Sequence, residues 1–141
     1  MVQFYNGYSW TGIIAAMLIL SHNVVETNMK KVLKEYVKEV AEDDVDYNKN
    51  GEIKIDKDLD FYNNGVYISI YNEDFEFIAG ETPHGYKENI AFDNKETQSV
   101  TINGKEYYVY DKKALFKNND DILVRGFISA TSTADIVNSM Y

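Results

Sequence analysis

The chain has no cysteine, one proline, one arginine and two histidines among its 141 residues. Without cysteine there is no thiolate nucleophile, no disulfide and no Cys-ligated metal. The compartment stays open, since domains outside the cell also do without cysteine. Neither His22 nor His84 forms a recognised metal-ligand pattern with a second histidine or an acid, and a hydrolytic zinc site needs three protein ligands. Positive charge is scarce as well. The formal net charge of -9 argues against nucleic acid, whose recognition needs a basic stripe. There is no glycine-rich phosphate loop, P-loop lysine or G-x-S-x-G nucleophile motif. The chain is therefore expected to be no enzyme and to need no cofactor. What it does have is twelve tyrosines beside its single proline, which point to a β-rich body.

A long hydrophobic run is missing too. Trp10 to Leu20, WTGIIAAMLIL, is uncharged, and no Lys or Arg precedes Lys30. A membrane span takes about 20 apolar residues, and a signal peptide has a positive start that is absent here. Residues 1–20 thus read as a buried helix, as the end of a transmembrane helix whose beginning lies outside the sequence, or as a poor anchor; the second is the reading adopted. Residues 21–45 continue as an amphipathic helix, with Val25, Met29, Val32, Leu33, Tyr36, Val37 and Val40 at three- and four-residue steps.

The stretch DYNKNGEIKIDK, from Asp46 to Lys57, matches the opening of a calcium loop, with Asp46, Asn48 and Asn50 at the first three ligand positions and Gly51 at the sharp turn. Its twelfth position should be a bidentate Glu and is Lys57. A second helix should follow, but DKDLDFYNNG is short and broken. Calcium is therefore disfavoured. Asn, Asp and Gly are also what a turn between helix and strand uses, so Asp46 to Gly51 are expected to end the helix and EIKID to start a sheet.

Beyond it the chain alternates as strands. Val66, Ile68 and Ile70 fall on one face and Tyr67, Ser69 and Tyr71 on the other, with NED as the following turn. TPHGYKENIAFDNKE has no period and reads as a long loop of the functional or mobile kind. VTI-NG-KEYYVYD is a hairpin around Asn103-Gly104. KNNDD is a turn, ILVRGFISATS the last strand, and 132–141 the start of a C-terminal helix. The expected fold is α+β: a long N-terminal helix, then a mainly antiparallel sheet of about five strands.

Candidate ligand-binding residues are few. Arg125 stands mid-strand on one face with Leu123 and Phe127, where a guanidinium needs an acidic or carbonyl partner. That partner is either an internal acid closing the sheet or a ligand carboxylate or phosphate. Tyr108 and Tyr110 share a face that serves either cross-strand packing or a pocket, and Tyr67 is placed with them as a candidate.

FYNNGVYISIYNEDFEFIAGETPHGY, VTINGKEYYVYDKKALF and ILVRGFISATS together resemble the extracytoplasmic sensor region of membrane-bound two-component histidine kinases from Gram-positive, clostridia-like bacteria. The resemblance covers roughly Ser21 to Tyr141. It implies a PAS-like or Cache-like sensor domain over 46–131, placed outside the cell membrane between two membrane helices. It further implies a homodimer, and a kinase that this chain does not contain. The signal would be a small molecule, a cationic peptide or a protein. The positive flank usual before the first helix is missing. The competing class is a soluble binding or interaction module with no membrane link.

Overall fold

The computed structural model describes residues 10–88, 90–114 and 121–130. Helix α1 runs unbroken through Trp10–Glu39 and passes into one π-helical turn, Val40–Asp44. Among the described residues no helix is long and apolar enough to cross a membrane. One compact unit ends at Met29, and Lys30–Ala130 form another. In the first unit, Ile13, Met17, Ile19, Leu20 and Val24 are exposed.

Within Lys30–Ala130 the chain forms eight strands: β1 (Val45–Tyr47), β2 (Ile53–Ile55), β3 (Tyr62–Asn63), β4 (Val66–Tyr71), β5 (Phe77–Gly80), β6 (Gln98–Ile102), β7 (Lys105–Ala114) and β8 (Ile122–Ser129). β1 and β2 are a separate antiparallel pair. The main sheet has the order β3-β4-β8-β7-β6, and β5 also pairs with β4. β3 takes the start of β4 and β5 its end, so these two short strands share one edge.

The α+β class holds, with a long helix followed by antiparallel sheets, but eight strands replace the expected five or so. β2 is the strand expected at EIKID; the strands not foreseen are β1 and β3, three and two residues long, too short to show a period in the sequence. The expected helix at 132–141 and the turn at KNNDD, apart from Asp121, lie outside the described residues.

The helix also stops earlier than its sequence suggests. Val45–Tyr47 is already strand, so Asp46 to Gly51 do not join helix to sheet. They belong to the β1–β2 hairpin, where Asn48 accepts the Asn50 and Glu52 amides through Oδ1 at 2.9 and 3.0 Å. The π turn makes the exit instead, burying Val40 and Ala41.

Alternation along the strands builds two faces. Val66, Ile68 and Ile70 of β4 lie with Val124 and Gly126 of β8 and with Tyr108 and Tyr110 of β7. Leu33 and Val37 of α1 cover this face at Gly126. A Cβ there would fall 2.3 Å from Val37 Cγ2 and 2.9 Å from Leu33 Cδ1, so the missing side chain is what admits the helix. Leu33, Val37, Val40, Val66, Ile68, Ile70 and Val124 are fully buried, and each contributes roughly 1.5–3 kcal/mol by leaving water. The β6–β7 turn forms as its residues require, with Asn103 and Gly104 at φ 50° and 78°.

Candidate functional site

The opposite face of the sheet carries Tyr67, Ser69 and Tyr71 of β4, Leu123, Arg125 and Phe127 of β8, and Tyr107, Val109 and Asp111 of β7. The long loop between β5 and β6, residues 81–97, supplies a strap to this face. Tyr86 packs edge-on against Phe127 with ring centres 4.8 Å apart, and Ile90 joins the same cluster.

Arg125 organises the strap. It and Asp111 are opposite each other in the β7–β8 ladder, and both side chains are 0% exposed. Nε donates to Asp111 Oδ1 at 2.7 Å and one terminal nitrogen to Oδ2 at 2.8 Å. That nitrogen also donates to the Ala91 carbonyl at 3.1 Å, and the other donates to the Ile90 carbonyl and the Tyr86 hydroxyl, both at 3.0 Å. Five N–H groups meet five acceptors, the full complement of a guanidinium. Asp111 Oδ2 in turn accepts the Asp93 amide at 2.9 Å. Burial by itself would lower the Arg125 pKa, but the bonds and charge of Asp111 outweigh it and hold the group above its ordinary value. The Phe75 ring closes the other side, 4.8 Å from the guanidinium carbon, and Phe75 sits there at φ 62° in the β4–β5 turn.

Of the two partners open to Arg125 in the sequence, the structure supplies the internal acid together with three acceptors from the strap. Tyr108 and Tyr110 lie on the helix face, with Lys30 Nζ 4.9 Å from the Tyr108 ring and Lys34 Nζ 5.7 Å from the Tyr110 ring. The four candidates are thus not brought together: Arg125 and Tyr67 share the strap face, and the other two tyrosines face α1.

Three groups escaped sequence reading. Asp111 looked like one more acid of an acidic chain, and only the β7–β8 register makes it the partner of Arg125. Tyr71 donates to Glu88 Oε1 at 2.6 Å and lies 3.0 Å from Ser69 Oγ; its pKa is pushed up, first by burial and then by Glu88. The third is a row of tyrosines. Tyr62 and Tyr67 have ring centres 4.6 Å apart, inclined at 58°, and Tyr67 and Tyr107 are 6.4 Å apart, at 73°. The Tyr67 hydroxyl titrates above the ordinary value, first through burial and then through Tyr62, Tyr107 and Glu81.

Acids gather at the π turn. An open cleft of ≈ 300 Å³ is lined by Tyr36, Glu39, Asp44, Asp56 and Asp60 among others, and the Tyr36 hydroxyl donates to the Asp60 carbonyl at 2.5 Å. Asp44 has a raised pKa, from burial first and then from Asp56, Glu39 and Asp43. Among the described residues no three His, Cys, Asp or Glu side chains are grouped to hold a metal ion. In the loop at Asp46, Asn48 and Asn50, Asn48 Oδ1 accepts two of the turn's own amides. Comparison with known proteins found no matching family model, no matching curated protein and no matching solved structure.

Proposed function

We propose that the chain is the extracytoplasmic signal-sensing domain of a membrane-bound sensor histidine kinase whose kinase lies outside this sequence. The observation that carries the reading is the division of labour across one sheet. One face holds the end of a 30-residue helix, and the other holds a strap clamped by Arg125 and Asp111. A sensor needs a face that a signal can alter and a rigid rod that reports the change. An equilibrium between two packings is biased only by a signal that interacts differently with each. The resemblance of the 21–141 sequence to PAS-like sensor regions supports the same reading, and from it follow the expected homodimer and the outer face of the cell membrane as its place.

The absence of cysteine makes a direct test simple. In the parent protein in its own cells, Asn50→Cys adds a thiol at an exposed hairpin turn, and the unsubstituted parent gives the labelling of any other cysteine. Labelling of intact cells by a membrane-impermeant maleimide is expected. Labelling only after lysis would overturn the outward placement.

A further inference from the structure

Tyr67 is the sequence candidate that is neither beneath α1 nor clamped in an ion pair, and it does not stand alone. Tyr62 on β3, Tyr67 on β4 and Tyr107 on β7 form a row along one end of the strap face, successive rings inclined at 58° and 73°. Such angles do not make a flat stacking platform; they offer ring faces in more than one direction. Tyr62 is 48% exposed, Tyr67 half-buried and Tyr107 buried, so Tyr107 forms the floor of the row. The strand between Tyr67 and Tyr107 presents exposed Ser129 opposite Tyr107, a small side chain where a large one would fill the row. Glu81 follows directly on β5, its amide bonded to the Ile68 carbonyl beside Tyr67, and its carboxylate is exposed.

We propose that Tyr62, Tyr67 and Tyr107, with the Glu81 carboxylate, form a binding site for a small organic cation bearing a methylated ammonium group. Tyrosine ring faces are electron-rich and attract a cation placed over them, and one carboxylate adds attraction at longer range. Methylated ammonium fits better than a metal ion. A single carboxylate gives too few oxygen ligands to replace a metal's hydration shell, whereas a methylated ammonium is large, weakly hydrated and satisfied by ring faces. The net charge of -9 draws cations toward the whole chain. The inference names a ligand class for the sensing domain proposed above. It is tested on the chain itself, so its failure and the failure of membrane placement are separate results.

The test is a titration of the full chain with tetramethylammonium chloride at constant ionic strength, followed by amide NMR. 3,3-Dimethylbutan-1-ol, which carries a neutral tert-butyl group of similar size, and sodium chloride serve as controls. Saturable shifts are expected at Tyr62, Tyr67, Glu81 and Tyr107 with tetramethylammonium alone. Tyr62→Leu, at an exposed position, should weaken binding roughly two- to fivefold, the worth of one exposed ring. Glu81→Gln should weaken it and lower its salt dependence, the rest of the acidic chain keeping a share. Absence of saturable shifts, an equal response to the neutral alcohol, or wild-type affinity in both variants would overturn the site.

Discussion

Arg125 and Asp111 show how much one buried pair can hold. Removing a single partner leaves an uncompensated charge in the interior, which costs about 3–5 kcal/mol. Arg125→Met and Asp111→Leu should each cause a loss of this order in urea unfolding. The double variant should recover much of it, since packed apolar residues often replace a buried pair at little cost. Recovery of stability would not restore the strap, because the Ile90 and Ala91 carbonyls and the Asp93 amide would have lost their partners. Hydrogen exchange should therefore quicken at Asp93 in the double variant even where the melting temperature returns. Protection equal to wild type would show that the strap is held by Tyr86 and Ile90 alone. Gly126 is the opposite case, an atom that must be missing. Gly126→Ala should cost about 1–3 kcal/mol by overpacking, and adding Val37→Ala should return part of it, since Val37 Cγ2 lies nearest the new methyl.

At the scale of elements, legibility followed period and length. The β4 alternation and the Asn103-Gly104 hairpin could be read because six residues of alternation and a two-residue turn are complete local signals. The end of α1 could not. Asp43, Asp44 and Asp46 look alike in sequence, and what sets Val45 into a strand is its pairing with Ile55, ten positions on. Arg125 was legible as a residue in need of a partner. Asp111 was not legible as that partner, because strand register is a property of two elements together. The π turn carries its own prediction. Asp44 has a folded pKa above its ordinary value, so it binds its proton more tightly in the folded state. Its contribution to stability is fully present below the ordinary carboxylate value and is lost as pH rises through the folded one. Asp44→Asn should therefore stabilise the chain at pH 7, by no more than about 0.5 kcal/mol at a half-buried site that solvent still screens. The gain should vanish when unfolding is repeated at a pH below the ordinary aspartate range, and an equal gain at both pH values would refute this origin.

For the molecule as a whole, the central strand decides what the two faces can do to each other. β8 lies between β4 and β7, with Ile122 through Ile128 buried. Its odd-numbered positions 123, 125 and 127 belong to the strap and its even-numbered positions 124, 126 and 128 to the helix. The guanidinium that clamps the strap and the glycine that admits α1 are therefore consecutive residues. Side chains that serve unrelated neighbours hang from opposite sides of a single peptide unit. Deleting or inserting one residue in this strand would exchange the two sets, sending the arginine beneath Val37 and the glycine beneath the strap. Such a change should abolish folding, while an insertion of the same size at the Asn48–Gly51 turn should be tolerated. The central strand is thus the part of the chain least free to change in length, and both faces inherit that rigidity.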